Sequence, residues 1–280
     1  MQFQRIYIPI CLAVVLLSFS VMLVTGCGIA PEPPVVDEPG EESSSSNDLT
    51  KLKKLEPGTY LQTLQMPDGR VVSFTIAIPT TYTDDKQWPM VLSLHYGARQ
   101  IRQFFSSDMV NGLVVPAVDD LDPIVIAPDV MNKSWLDARC EEAVLYLFGQ
   151  ALKTYNINRK QVLVVGYSMG AEGAWYYAGA HPDKFTAAIP IAGRPLPNYQ
   201  DYEWTVPMLV IHSRTDEVYP FARTEEVANQ IGAETGYVQV YALDGANHYE
   251  SNKYIEPLKE GVRWVMQVWD SLENNDGGSP

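Results

Sequence analysis

The sequence predicts an α/β domain built on a mostly parallel, doubly wound sheet that begins with an antiparallel hairpin. Two β-rich segments, 60–65 and 71–78, flank the turn sequence Met66-Pro67-Asp68-Gly69. After this hairpin, short apolar runs alternate with segments of helical periodicity. The chain has 280 residues, of which 46% are hydrophobic, so it is long enough to bury one large core.

The remaining elements are predicted in chain order from their length and periodicity. Short runs rich in apolar residues are expected to form strands at 89–95, 123–127, 162–165, 186–192, 206–212 and 237–243. Helices are expected at 136–155, 220–231 and 258–272. In the first helix, Cys140, Val144, Leu147, Ala151 and Tyr155 share one face. The segments 101–122 and 194–205 are expected to be irregular, and neither is long enough for a large lid.

Residues 1–26 are predicted to be a lipoprotein signal peptide. Arg5 precedes a mostly apolar run over residues 6–24, and Val24-Thr25-Gly26 places small residues directly before Cys27. This pattern resembles the lipobox of bacterial lipoproteins, which implies cleavage before Cys27 and lipidation of that cysteine. An uncleaved signal anchor is the alternative interpretation, because an apolar run of this length can just span a bilayer.

The chain after the signal divides by composition. Residues 27–50 are predicted to be the lipidated cysteine and a disordered acidic tether, since Pro, Glu and Ser cannot bury apolar surface. The folded domain is expected at 51–273 and a disordered tail at 274–280. A net charge of −14 argues against nucleic acid as a partner and limits membrane contact to the lipid anchor. Cys140 is left without a partner once Cys11 and Cys27 are assigned, so no disulfide is expected.

Gly166-Tyr167-Ser168-Met169-Gly170 is the most informative motif of the chain. It lies between a β-rich run and a small-residue helical run. Serine at a sharp strand-to-helix turn is a nucleophile elbow, in which glycines two residues away leave room for the strained backbone. The motif therefore predicts Ser168 as a nucleophile and the Met169 N–H as one donor to an oxyanion. The second donor is expected after the third strand, at Gly97, with Tyr96 as the alternative.

A serine nucleophile requires a base and an orienting acid, which this topology supplies from loops after later strands. Asp216 and His248 follow two successive predicted strands in that order. His248 is therefore predicted as the general base and Asp216 as the carboxylate that orients it. Glu217 and Asp244 are the competing acids. The other three histidines are interpreted as structural residues, and their scattered spacing predicts no metal site.

Residues 56–272 resemble the α/β-hydrolase superfamily, with the best match in its small carboxylesterase, dienelactone hydrolase and secreted feruloyl- or acetyl-esterase-like branch. The resemblance rests on the elbow motif, on Trp175 behind it, and on the segments 94–97, 155–158, 181–185, 189–193, 211–216 and 247–248. The chain departs from the family at Tyr96, Ala171 and Ser213, where glycine is common. The resemblance implies ester hydrolysis through an acyl-serine intermediate, without a metal or cofactor.

The predicted function is an extracytoplasmic serine carboxylesterase, anchored by lipid at the cell surface or in the periplasm. Aromatic residues near the motifs predict a platform for aryl or sugar groups, although core packing is the default interpretation for each. The candidates are Tyr167, Trp135, Trp204 and Tyr249. They favour feruloyl or acetyl esters of carbohydrates as a candidate substrate class. A serine peptidase of the same fold and a non-catalytic surface binding lipoprotein remain as alternatives.

Overall fold

The computed structural model describes residues 49–276 of the chain. The signal peptide, Cys27 and almost all of the predicted tether lie outside the described residues, as do residues 277–280. Within the described part, the N-terminal residues lead directly into the first strand of the sheet, and the last helix ends at Asp276.

Eight strands of the described chain form one sheet in the order β1-β2-β4-β3-β5-β6-β7-β8. Strands β1 and β2 form an antiparallel hairpin, and β2 also pairs antiparallel with β4. The other neighbouring pairs are parallel, so the predicted fold class is confirmed. The strands are β1 Gly58–Gln65, β2 Val71–Ile78, β3 Trp88–Leu94, β4 Ile124–Pro128, β5 Ile157–Tyr167, β6 Ala187–Ile191, β7 Met208–Ser213 and β8 Val238–Leu243.

Helices cover both faces of the sheet, and each face has its own apolar core. One core includes buried residues of α3, α4 and α5, and the other includes those of α1, α2 and α6. No helix within residues 49–276 is both long and apolar enough to cross a membrane. The helices are α1 Ser106–Met109, α2 Val115–Ala117, α3 Ala138–Thr154, α4 Met169–Ala180, α5 Phe221–Thr235 and α6 Ile255–Asp276, with 3-10 turns at Tyr199–Asp201 and Ser251–Tyr254.

The prediction of an irregular segment at 101–122 is wrong in its central part. There, α1, a π-helical turn at Val110–Val114 and α2 follow one another without a break. The π-helical turn buries Val110, Leu113 and Val114 against the second core. Burial of these apolar side chains stabilises helical backbone in a segment whose own residues do not favour a helix. Helix α6 also begins three residues earlier than predicted and ends four residues later.

Candidate active site

Ser168 alone forms the turn between β5, which ends at Tyr167, and α4, which begins at Met169. Its backbone has φ 56° and ψ −117°, a conformation that residues with a side chain rarely adopt. The Ser168 N–H donates to the carbonyl oxygen of Ile191 at 2.9 Å. This hydrogen bond to β6 helps to stabilise the strained turn.

Around the elbow, the neighbouring backbone lies too close to the glycines to accommodate a side chain. A Cβ on Gly166 would lie 1.8 Å from the carbonyl oxygen of Gly170. A Cβ on Gly170 would lie 1.8 Å from the carbonyl oxygen of Leu94. Gly193, after β6, is similarly restricted, because its Cβ would lie 2.6 Å from the Ser168 carbonyl oxygen. Strands β3 and β6 therefore pack against the backbone of the turn itself, which fixes the position of the serine.

The structure brings the three predicted triad side chains into one hydrogen-bonded row. Ser168 Oγ lies 2.9 Å from His248 Nε2, and His248 Nδ1 lies 2.9 Å from Asp216 Oδ2. Both Asp216 and His248 are buried. An ionised carboxylate only accepts hydrogen bonds, so the His248 Nδ1 carries the hydrogen. Nε2 is then free to accept the proton of the serine hydroxyl, as a general base must.

Asp216 is surrounded by hydrogen-bond donors. Its Oδ1 accepts the backbone N–H groups of Val218 and Tyr219 at 2.9 and 2.8 Å. Its Oδ2 lies 3.3 Å from the Nε2 atom of His212, in addition to its bond with His248. Burial by itself raises the pKa of the Asp216 carboxyl, but these four donors outweigh it and hold that pKa well below its usual range. The carboxylate therefore stays ionised beside the imidazole.

The two competing acids occupy other positions. Glu217 Oε2 accepts the backbone N–H of His248 at 2.9 Å, so this carboxylate contacts the histidine's main chain and not its ring. Asp244 lies on the surface, where it pairs with Arg214 at 3.5 Å. Across residues 49–276, no three His, Cys, Asp or Glu side chains form a group that could hold a metal ion.

The loop that carries His248 is held by hydroxyl groups from the end of β5 and from the end of β7 and the turn after it. The buried hydroxyl of Tyr167 donates to the His248 carbonyl oxygen at 2.5 Å. The hydroxyls of Ser213 and Thr215 donate to the carbonyl oxygen of Ala246 at 2.6 and 2.9 Å. Ser213 thus contributes a bond that glycine, the residue expected here from the family resemblance, cannot make. These three hydroxyls fix the backbone on which the imidazole is mounted.

The residues predicted to bind an oxyanion lie on two adjacent backbone segments. A Cβ on Gly97 would lie 3.5 Å from Met169 Sδ, so the loop after β3 lies against the start of α4. Met169 is the first residue of α4, so its N–H has no acceptor within the helix. It is therefore a suitable donor to an oxyanion.

His95 fixes the orientation of the first of these segments. Its Nδ1 donates to the Tyr96 carbonyl oxygen at 2.7 Å, and its Nε2 accepts the Val130 N–H at 3.1 Å. Burial lowers the pKa of His95, which favours this neutral form of the ring. The C=O and N–H of a trans peptide point in opposite directions, so fixing the Tyr96 carbonyl also fixes the direction of the Gly97 N–H.

A cavity of about 310 Å³ opens beside the serine hydroxyl. Two of its apolar walls face solvent: Tyr249 is 77% exposed and Val218 is 41% exposed. Val218 and Ser251 were not predicted from the sequence. Val218 could have been identified, because it is an apolar residue only two positions after the predicted acid Asp216. The lining residues are Tyr96, Gly97, Tyr167, Ser168, Val218, His248, Tyr249 and Ser251.

Two of the predicted substrate-binding residues lie in the core instead, which corrects the expectation from sequence. Trp135 is fully buried and its Nε1 donates to the His95 carbonyl oxygen at 3.0 Å. Trp204 is also buried, with its Nε1 donating to the Tyr199 carbonyl oxygen at 2.9 Å. Because each indole N–H has a backbone acceptor, the whole ring can be buried at little cost. Neither ring lines the cavity beside Ser168.

Comparison with known proteins agrees with this architecture. Residues 120–258 match the model of the dienelactone hydrolase family. The chain is 22% identical over 173 residues to a probable feruloyl esterase C of Aspergillus flavus, a match that covers 60% of this chain and 63% of that relative. The chain therefore spans less than two thirds of the length of that curated relative.

Solved structures with the same fold include two esterases. A thermostable esterase aligns with a TM-score of 0.62 and 21% identity over 75% of this chain and 62% of its own. A ferulic acid esterase aligns with a TM-score of 0.61 and 16% identity over 77% of this chain and 100% of its own. At these identities the likeness establishes the fold. Over residues 120–258 the chain is therefore similar to the dienelactone hydrolase family, and as a whole it shares the fold of these esterases.

Proposed function

We propose that this protein is a serine carboxylesterase that hydrolyses carboxylic esters through an acyl-serine intermediate. The observation that carries the proposal is the row of hydrogen bonds from Ser168 through His248 to Asp216, beside an open cavity. The orientation of each group matches what acyl transfer requires: a hydroxyl facing the cavity, an imidazole nitrogen beside it and an ionised carboxylate behind the imidazole.

In the first half of the reaction, Ser168 Oγ attacks the ester carbonyl carbon while His248 Nε2 takes its proton. The carbonyl oxygen gains negative charge, which the N–H groups of Met169 and Gly97 stabilise, with Tyr96 as the alternative second donor. The protonated imidazole then gives its proton to the leaving alkoxide, and the C–O bond breaks. The acyl group remains on the serine and the alcohol departs.

In the second half, water attacks the acyl-serine carbonyl and His248 takes a proton from it. The tetrahedral intermediate collapses, the proton returns to Ser168 Oγ, and the carboxylic acid leaves. Asp216 stays ionised throughout, because its donors hold its pKa low. It therefore stabilises the imidazolium in both halves of the cycle without taking up a proton.

The test is hydrolysis of a chromogenic acetyl ester by the purified protein, its Ser168→Ala variant and a Ser271→Ala control. Ser271 lies on α6, where its hydroxyl bonds the Gln267 carbonyl within the same helix. We expect Ser168→Ala to lower kcat by on the order of 10⁴-fold or more and the control to retain activity. Peptide cleavage without ester cleavage by the unmodified protein would favour a peptidase. No turnover of either substrate would favour a binding protein.

Feruloyl or acetyl esters of carbohydrates are the proposed substrates. Three aromatic side chains line the cavity, those of Tyr96, Tyr167 and Tyr249, and the last is largely exposed. Such rings stack favourably on aryl groups and on the apolar faces of sugars. A panel that compares feruloyl, acetyl-sugar and simple alkyl esters tests this. Much higher kcat/KM on alkyl esters would contradict the proposal.

We also propose that the protein is an extracytoplasmic lipoprotein, attached to a membrane through Cys27. The support is the sequence of residues 1–27 alone, which combines Arg5, an apolar run and small residues before the cysteine. We expect the Cys27→Ala variant to carry no lipid and to leave the membrane fraction. The Cys11→Ala variant should keep its lipid and remain in that fraction. Equal membrane binding and no lipid on either variant would indicate an uncleaved signal anchor.

A further inference from the structure

A second histidine lies behind the triad. His212, the fifth residue of β7, is fully buried and its ring packs edge-on against Phe221, with the centroids 5.8 Å apart. Its Nε2 lies 3.0 Å from the Tyr219 carbonyl oxygen and 3.3 Å from Asp216 Oδ2. One ring nitrogen therefore faces both the orienting carboxylate and the backbone of the turn that follows it.

The tautomer of His212 follows from these contacts. A carbonyl oxygen only accepts hydrogen bonds, so Nε2 must carry the hydrogen. The Nδ1 atom is buried and has no hydrogen-bond partner among the described residues. A charged ring would place a second N–H at this position without an acceptor, which costs more than a bare lone pair. The ring is therefore neutral, with its single N–H directed at Tyr219 and Asp216.

We infer that His212 is a positioning residue of the triad, which fixes the carboxylate of Asp216 through the same oxygen that contacts His248. This inference rests on the proposed function. The Nε2–H of His212 reaches two acceptors at once and thereby joins the end of β7 to the turn at residues 216–219. The positive end of its N–H dipole also faces Oδ2, the same oxygen that receives the His248 ring.

The groups around the carboxylate leave this role to His212. The backbone amides of Val218 and Tyr219 occupy Oδ1, so Oδ2 depends on the two imidazoles. The nearby phenols of Tyr167, Tyr219 and Tyr254 have pKa values raised by burial, so they stay uncharged. Glu217 is exposed and bonds the main chain of His248. Loss of the His212 N–H would leave Oδ2 with one donor and release the Tyr219 carbonyl.

The first test uses the unmodified protein and needs no substrate. Nitrogen-15 NMR of the labelled histidine rings reports which nitrogen of His212 carries a proton, with assignment by comparison with His212→Gln. We expect a protonated Nε2 and a bare Nδ1. A proton on Nδ1 instead would overturn the inference, whether or not the protein hydrolyses esters.

The second test compares His212→Gln with His212→Leu, after circular dichroism has established that each is folded. A glutamine amide can present an N–H near the position of Nε2, whereas leucine cannot. With a chromogenic acetyl ester we expect the leucine variant to lose on the order of 10-fold or more in kcat at nearly unchanged KM, and the glutamine variant to recover most of that loss. The low-field proton resonance of the His248–Asp216 bond should change in the leucine variant and persist in the glutamine variant.

Equal losses in both variants, or an unaltered resonance with leucine, would assign His212 to packing alone and overturn the inference. A lack of ester hydrolysis by the unmodified protein would refute the proposed function only. The two NMR measurements would still decide the position of His212 relative to the carboxylate, because they do not depend on turnover.

Discussion

At the scale of single residues, the chemical role of each acid is set by its hydrogen-bond partners and not by its position in the chain. Asp216 and Glu217 are adjacent, yet only the first reaches the imidazole, because its side chain turns inward over two backbone amides. Glu217 turns outward and accepts the main-chain N–H of His248 instead. Sequence spacing alone could not separate these two carboxylates, since the backbone contacts of the folded loop decide which of them is buried.

The assignment of the orienting acid can be tested with a matched pair of amides. Asp216→Asn places an N–H₂ or an uncharged oxygen beside His248 Nδ1 and removes the charge that stabilises the imidazolium. We expect kcat to fall by on the order of 10⁴-fold. Asp244→Asn alters only an exposed pair with Arg214, so it should leave kcat within about two-fold. Initial rates on an acetyl ester measure both, and a large loss in the Asp244 variant would contradict the assignment.

At the scale of secondary-structure elements, the active site depends on how closely α4 approaches β3. The helix begins immediately after Ser168, and Gly170 in its first turn lies against the backbone of Leu94. No side-chain layer separates the two elements there. The loop that follows β3 consequently lies beside Met169, which is what brings the two proposed oxyanion donors near each other.

A glycine-to-alanine pair tests this contact. In Gly170→Ala the new Cβ would meet the Leu94 carbonyl oxygen at 1.8 Å, so the helix must move. We expect a loss of several kcal/mol in the free energy of unfolding, with little soluble protein. Gly149→Ala, on α3, has no atom within 4 Å of the new Cβ and should stabilise the protein by about 0.5–1 kcal/mol. Urea denaturation of both variants gives the comparison, and similar midpoints would refute the close-packing argument.

The elements differ in how much of them the sequence could predict. The hairpin, the parallel strands and the elbow carry local signals: alternation, apolar runs and paired glycines. The helical segment around Val110–Val114 does not, because Gly112 and Pro116 weaken the helical pattern and a π-helical turn has no distinctive period. Its stability comes from burial against distant parts of the chain. The same is true of the two core tryptophans, whose burial depends on carbonyl acceptors that only the folded chain supplies.

At the scale of the whole molecule, Cys140 reports on the integrity of one of the two cores. It lies on the buried face of α3, and burial raises the pKa of its thiol to about 11. It is the single free cysteine within the described residues. A thiol this inaccessible and this weakly acidic cannot react with an alkylating reagent unless the core opens.

Alkylation of Cys140 should therefore follow global unfolding. We expect negligible modification of the native protein at pH 8 over the time in which an exposed thiol reacts completely. In guanidinium the rate of Cys140 alkylation should rise together with the change in tryptophan fluorescence that marks unfolding. Peptide mass spectrometry separates Cys140 from Cys11 and Cys27, so labelling can be assigned to one site. Rapid native-state labelling would show that the region beneath α3 opens locally.

The walls of the cavity and the reactive side chains are close together in the sequence, which restricts how the protein can change its substrate preference. Each reactive side chain has a wall residue next to it in the chain: Tyr167 before the serine, Val218 two positions after the acid, and Tyr249 after the base. The residues proposed to determine substrate selectivity and those proposed to carry out the reaction thus lie on the same three short segments of the chain. Mutations that reshape the walls will tend to disturb the chemistry as well, so adaptation to new esters is constrained to exchanges that alter a side chain while preserving its backbone.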